Sequence, residues 1–370
     1  MSGICESSVR LFDKIAASCA ASREQVSADL AVLRAQTNLA FTLQALYRQQ
    51  VNCGFVLGDP RETLAKNQKQ IHDPQTGITF RLKWNPDREL RHDRNLLVRR
   101  RIIAEHVDHS RLINHDKLGR PCFLCKSNID LQNPGEILLD LNLAGEVFYA
   151  GANFAYIGDN HFTLMNAEHR PQRYRRQVLS AINDFLRQTD GSFRAIYNGL
   201  AGASIEEHEH LQVTTDEFPI EHIRIESRDV TYEAGGLRII KLDYYLAAWL
   251  IQGGDPAAVE TSADAIIREW IGLDEQNHTV NVIGTLRDGQ YRMFVALRDR
   301  RRLAGKGKKG PMGAFETAGD IILSYEPKSD CQTDDNEKWT FDNASLDTVK
   351  RLLKDILSPQ ISLFPRASQV

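Results

Sequence analysis

Two histidines and a glutamine alternate in Glu207-His208-Glu209-His210-Leu211-Gln212. In a β-strand, residues two apart share a face, so His208, His210 and Gln212 would line one side. A neutral imidazole is both a nucleophile and a metal ligand, and a carboxamide can donate to phosphoryl oxygens. The plainer reading is a solvated strand face, because Glu206, Glu207 and Glu209 are polar as well. Just upstream, Asn198-Gly199-Leu200-Ala201-Gly202-Ala203-Ser204 is small and flexible. Its glycines would let backbone N–H groups approach a phosphate, although an ordinary loop between strands would read the same way. Pro121-Cys122-Phe123-Leu124-Cys125 is a knuckle of the kind that offers two thiolates to zinc. It has no second CxxC to pair with, so two histidines from among His161, His169 and His208 would have to complete a four-coordinate site.

The elements that must position these groups follow from periodicity. From about Ser8 to Gln50 the chain lacks proline and glycine, and apolar residues recur at steps of three and four, which predicts two helices. Residues 139–165 read as strands punctuated by Gly145, Gly151 and Gly158. An amphipathic helix over 172–188, a strand at Phe193–Tyr197 and a strand at His208–Thr214 follow. Beyond Pro219 the same character returns, with strands near 221–240, a helix near 258–271, strands near 278–297 and a last helix near 345–357. The basic stretch 298–310 predicts a surface loop. Interleaved strands and helices with short turns imply an α+β fold with a mostly antiparallel sheet. The expected organisation is an N-terminal helical region over 1–60, a catalytic core with the CxxC knuckle over 61–220, and a C-terminal α+β part over 221–370 with the character of a degenerate second half.

Composition bounds the function. The 370 residues are 42% hydrophobic and 26% charged, and 46 basic against 49 acidic side chains leave a net charge of −3. This is ordinary soluble usage and argues against a nucleic-acid coat or a polybasic membrane binder. No apolar run approaches the ~18 residues of a membrane helix, the longest being Tyr244–Ile251. Cys5, Cys19, Cys53 and Cys331 are scattered singly, which predicts free thiols in a reducing, cytoplasmic setting.

Taken in order, Cys122-x-x-Cys125, Asn153-Phe154-Ala155, His161-Phe162-Thr163-Leu164 leading to His169, and Asn198…Ser204…His208-x-His210-x-Gln212 resemble the histidine-triad superfamily. The resemblance is narrower still to the branch that holds galactose-1-phosphate uridylyltransferase, diadenosine tetraphosphate phosphorylase and GDP-hexose phosphorylases. The runs at 80–91, 119–125, 160–172 and 202–212 are also similar to an uncharacterised bacterial family of that branch. These landmarks cover roughly residues 80–215.

The resemblance implies a histidine-triad-like fold and a role for each matching residue. His210 is implied as the nucleophile that becomes nucleotidylated, and Gln212 as the group that holds the phosphoryl oxygens. Asn198, Gly202 and Ser204 fall at positions that contact substrate phosphates. Cys122, Cys125, His169 and His208 are implied as the ligands of a structural zinc ion, with His161 structural and outside that set. The implied activity is cleavage of a nucleoside polyphosphate or nucleotide sugar at the α-phosphate. The nucleotidyl group would then pass to inorganic phosphate or a phosphorylated acceptor, with Arg88 or one of Lys306, Lys308 and Lys309 positioning the incoming anion. For the arginines of the run 81–101 a solvated charge run is the simpler reading.

Glutamine at 212, where the hydrolase branch carries histidine, favours transfer over hydrolysis. Glu209 stands where uridylyltransferases typically carry proline, which counts against sugar-1-phosphate uridylyl exchange. The rival readings are a hydrolase using the same histidine and a zinc-stabilised nucleotide-binding module without turnover. A homodimer is common in the superfamily and is the expected assembly to test.

Overall fold

The computed structural model describes residues 4–116, 118–326 and 336–358. Cys331 lies outside the described residues.

The N-terminal region folds into three helices rather than two: Glu6–Ala16, Arg23–Gln36 and Leu39–Asn52. The breaks are made by caps. Ser22 Oγ accepts from the Gln25 amide at 3.2 Å, and Asn38 Oδ1 accepts from the Phe41 amide at 2.9 Å, each satisfying a donor that the start of a helix leaves free. The first and third helices pack together, bringing their ends side by side, and Asn52 Nδ2 donates to the Ala16 carbonyl at 2.9 Å. Cys19 and Cys53, just beyond those ends, have Cα atoms 5.1 Å apart and form a disulfide. The expectation of free thiols fails for this pair because the helical hairpin brings together residues 34 apart in sequence. Cys5 is free and exposed.

Thirteen strands are found among the described residues: β1 (Gln68–His72), β2 (Thr79–Trp84), β3 (Leu138–Leu143), β4 (Glu146–Ala152), β5 (Phe162–Asn166), β6 (Arg194–Asn198), β7 (His210–Thr214), β8 (Val230–Ala234), β9 (Leu237–Lys241), β10 (Ala248–Gly253), β11 (His278–Arg287), β12 (Gln290–Asp299) and β13 (Asp320–Leu323). Ten of them form one sheet in the order β3-β4-β5-β7-β6-β11-β12-β10-β9-β8, antiparallel throughout. Helix Arg176–Gln188 lies between β5 and β6 in sequence, and helix Pro256–Leu273 between β10 and β11. The strand order 3-4-5-7-6 on one side of the β6–β11 seam matches 8-9-10-12-11 on the other. A second sheet, β1-β2-β13, is parallel at its β2–β13 pair.

The large sheet is covered unequally. One face buries Leu164, Leu211, Tyr197, Val282 and Val295 against the N-terminal helices and the two crossover helices. The other face buries Ile196, Ile283, Phe294 and Leu250 against Phe80, Phe315, Ile321 and Leu352, contributed by the small sheet and the C-terminal elements. Gln212 pairs with Ile196 and Thr163 with Gln212, so these residues lie on that second face. Above β4, β5 and β7 the second face opens into a cavity of about 600 Å³.

Two sequence expectations about basic residues change here. Arg298 sits within β12, fully buried, donating to Asn281 Oδ1 and to the Met312 carbonyl, both at 2.5 Å. Lys308, in the loop after β12, is also buried rather than solvated. Arg81 is paired with Asp320 at 2.9 Å. No helix among the described residues is long and apolar enough to cross a membrane.

Candidate active site and metal cluster

β7 begins at His210, so His208 stands before the strand and does not share its cavity face. His210 and Gln212 both line the cavity; His208 turns instead toward the cysteine knuckle. The alternation predicted for three residues therefore holds for two.

His210 is buried, and its Nδ1–H donates to the backbone carbonyl of His208 at 2.8 Å. That bond fixes the tautomer and leaves Nε2 as the unprotonated nitrogen. Burial holds the imidazole's pKa below its ordinary value, which keeps it neutral. The strand end is pinned by Gln172, whose Oε1 accepts from the His210 amide at 2.7 Å and whose Nε2 donates to the His210 carbonyl at 2.9 Å. The sequence reading did not identify Gln172; its distance from β7 in the chain conceals the contact.

Gln212 Oε1 accepts from Asn198 Nδ2 at 3.4 Å, which leaves the Gln212 amide nitrogen as a donor. Asn198 is a junction rather than a free arm. Its Oδ1 accepts from Asn281 Nδ2 at 2.9 Å and from the Ala314 amide at 2.7 Å, tying β6 to β11 and to the loop beyond β12. Gly202 lies where that loop and the 199–209 loop touch, and a Cβ there would fall 2.9 Å from Gly313 Cα. Its lack of a side chain serves close packing of two loops. Ser204 is exposed at the cavity.

Cations reach the cavity from two directions. Arg88 donates through Nη1 to the Ala155 carbonyl at 3.0 Å, and no carboxylate among the described residues lies within ion-pair distance of it. Burial, with Arg91 nearby, lowers its pKa to about 10, still charged at neutral pH. Lys308 donates to the Ile322 carbonyl at 2.6 Å and lies 3.5 Å from Glu316 and 3.6 Å from Glu337. Lys309 Nζ lies 3.4 Å from the Tyr325 ring centroid. Lys306 is exposed and does not line the cavity. His161 lies outside the metal cluster and lines the cavity, buried, its Nδ1 accepting from the Ile157 amide at 3.3 Å.

Cys122, Cys125, His169 and His208 present four ligand atoms within 4.8 Å of one another. Cys122 Sγ is 3.3 Å and Cys125 Sγ 3.6 Å from His208 Nδ1, Cys125 Sγ is 3.4 Å from His169 Nδ1, and the two Nδ1 atoms are 3.4 Å apart. A tetrahedral ion held at about 2.3 Å from sulfur and about 2.0 Å from nitrogen sets S···N near ~3.5 Å and N···N near ~3.3 Å. The donor set fits such an ion. His208 Nε2–H donates to the Asn166 carbonyl at 2.7 Å, which frees Nδ1 for the metal and orients the ring. Burial pushes the Cys122 thiol up and His208 down to about 4. A cation among them reverses the thiol's preference in favour of thiolate.

Glu209, between the two histidines, is buried and faces away from the cavity. It takes two bonds from Arg175, Nε at 2.7 Å and Nη2 at 2.8 Å, and one from Asn166 Nδ2 at 2.9 Å. Arg175 Nη2 also reaches Glu146 at 2.7 Å. Asn166 thus bonds both His208 of the Cys/His cluster and the carboxylate next to His210.

Residues 74–215 match a family described as "Domain of unknown function (DUF4922)". Over 224 residues the chain is 24% identical to galactose-1-phosphate uridylyltransferase of Bacillus subtilis, spanning 54% of this chain and 42% of that one. It is 26% identical over 184 residues to the enzyme of the same name from Ligilactobacillus salivarius, spanning 45% and 36%. The chain therefore spans less than half the length of these curated relatives. Among solved structures, yeast Ap4A phosphorylase Apa2 in complex with AMP superposes with a TM-score of 0.52 at 15% identity, covering 86% of this chain and 96% of that one. The α+β histidine-triad-like fold and the resemblance drawn from the motifs are both borne out.

Proposed function

We propose that the chain is a nucleotidyltransferase of the phosphorylase type, acting on a nucleoside polyphosphate or nucleotide sugar through a nucleotidyl-His210 intermediate. The observation that carries this reading is the bond from His210 Nδ1–H to the His208 carbonyl, with the ring lining the cavity. Similarity to uridylyltransferases and the fold of Ap4A phosphorylase support the same chemistry.

In the first step His210 Nε2 attacks the α-phosphorus, an N–P bond forms, and the bond to the bridging oxygen breaks. The Nδ1 proton stays in place, so the substituted imidazole is cationic and is itself a good leaving group. The His208 carbonyl faces that charge and stabilises it. Gln212 donates to the phosphoryl oxygens, whose charge needs fixed donors. In the second step an oxygen of phosphate or of a phosphorylated acceptor attacks the phosphorus and restores neutral His210. Arg88 and Lys309 can hold that anion, whereas Lys308 is already engaged with Glu316 and Glu337.

We assign zinc to the Cys122, Cys125, His169 and His208 cluster as a structural ion, since four protein ligands close the coordination shell. Its contribution is to fix the segment that leads into β7. The matching strand order across the β6–β11 seam supports a degenerate second half in residues 221–370. The Cys19–Cys53 disulfide removes one support for the cytoplasmic location expected from scattered thiols.

The test compares products with and without inorganic phosphate. Nucleoside diphosphate formed only when phosphate is present is the expected result. Equal release of nucleoside monophosphate in phosphate-free buffer would make the protein a hydrolase.

A further inference from the structure

The cavity also has a mainly apolar end. Phe123 and Phe154, ring centroids 6.5 Å apart, wall it together with Leu124, Ile129 and Met165. The carboxylate of Glu136 lines the cavity there, against Gly151 where Met165 also packs. Glu136 is buried, and its one side-chain partner is Asn133, whose Nδ2 donates to Oε2 at 2.8 Å. Oε1 lies against the backbone of Gly151, where an added Cβ would be 2.2 Å away. Glycine at 151 is what leaves room for this carboxylate.

A buried carboxylate with one amide donor and no contacting cation is costly unless something else donates to it. The charges that bear on Glu136 are Arg23 and Asp130, neither of which lines the cavity. Burial, with the Asp130 carboxylate nearby, lifts its pKa to about 7.

Its position relative to His210 can be read from the sheet. Gly151 on β4 pairs with Thr163 on β5, and Thr163 pairs with Gln212 on β7. Glu136 Oε1 therefore stands over a strand two positions from the one carrying the nucleophile, about 10 Å across the sheet. In a nucleotide whose α-phosphorus is at His210, the ribose 3′-oxygen is five bonds from phosphorus and at most about 6 Å away. The base edge is farther out, and it is the base that apolar and aromatic walls suit.

We infer that Glu136 reads the edge of a guanine base, its two oxygens accepting from guanine N1–H and the 2-amino group. This rests on the nucleotidyl-transfer reading of the site. A carboxylate only accepts, and guanine is the base that offers two adjacent donors in one plane. Adenine and cytosine place a ring-nitrogen acceptor beside their amino group, and uracil flanks its N–H with two carbonyls. Each would set an acceptor against the second oxygen of Glu136.

Equilibrium binding of GMP, IMP, AMP, UMP and dGMP to the zinc-loaded full chain tests this, with wild type and Glu136→Gln side by side. GMP should bind about tenfold or more tighter than IMP, which lacks the 2-amino group, and tighter still than AMP or UMP. Glu136→Gln should bring GMP down to the level of the others. Wild-type affinities that do not distinguish GMP from IMP and AMP, or no binding of GMP, overturn the inference, and that comparison needs no variant to fold. A Glu136→Gln effect confined to the difference between GMP and dGMP would assign the carboxylate to ribose and overturn it as well. Should GMP preference be found without any nucleotidyl-His210 adduct, the transfer reading falls and the base reading stands.

Discussion

The Nδ1–H of His210 donates to the carbonyl of His208 at 2.8 Å, while the ring of His208 points its own Nδ1 at the sulfurs of Cys122 and Cys125. One residue thus links the Cys122/Cys125/His169 cluster to His210, its ring to the first and its backbone to the second. The link has different consequences for the two histidines.

His210→Ala should abolish turnover while preserving the fold and most nucleotide affinity, because binding is shared among Gln212, Arg88 and the cavity walls. His208→Ala should lower zinc content and melting temperature together with rate. Steady-state kinetics, metal analysis and thermal unfolding on both variants check this. A His210→Ala variant with wild-type rates would remove the mechanism.

Metal analysis should return close to one zinc per chain, and Cys122→Ser with Cys125→Ser should lose both the metal and much of the thermal stability. Retention of zinc by that double variant would contradict the ligand assignment.

Glu209 is 1% exposed and depends on Arg175 for its charge compensation. Arg175→Ala leaves Glu209 buried without a cation, bonded still by Asn166, and should cost about 2–3 kcal/mol of stability, toward the low side of buried-pair disruptions because Arg175 itself is partly solvated. Denaturant unfolding measures it. A loss below about 0.5 kcal/mol would show that the network contributes nothing beyond a surface pair.

Glu136 gives a pH dependence of defined sign. Its folded-state pKa of about 7 lies above the ordinary 4.5. The native state therefore holds a proton that the unfolded state releases. The stability this contributes is fully present below pH 4.5 and is lost as pH rises through about 7. Its size is about 3 kcal/mol at 1.36 kcal/mol per pKa unit. In ligand-free protein, Glu136→Gln should flatten the unfolding free energy across that window relative to wild type. Identical slopes in the two proteins would show that Glu136 titrates normally.

Local spacing made part of this legible. His210-x-Gln212 and Cys122-x-x-Cys125 announce themselves because strand alternation and knuckle geometry are short-range. The third member of the alternation, His208, departs because β7 starts only at His210, and the pull of the cysteines is a long-range fact. Helix caps at Ser22 and Asn38 are visible as residue types, yet the continuous apolar periodicity around them hides the breaks. Glu209 reads as solvent-facing until Arg175 and Asn166 arrive from elsewhere in the chain. Lys308 and Arg298 read as a charged loop for the same reason: their partners Glu337 and Asn281 are separated from them in sequence.

The central claim is a covalent nucleotide on His210. The direct measurement is intact-mass analysis of the zinc-loaded protein after mixing with nucleoside polyphosphates and nucleotide sugars in phosphate-free buffer, followed by peptide mapping. The expected result is a mass increase of one nucleoside monophosphate, located on His210 and discharged as nucleoside diphosphate when phosphate is added. Turnover with no adduct on His210, or an adduct on another residue, would contradict it.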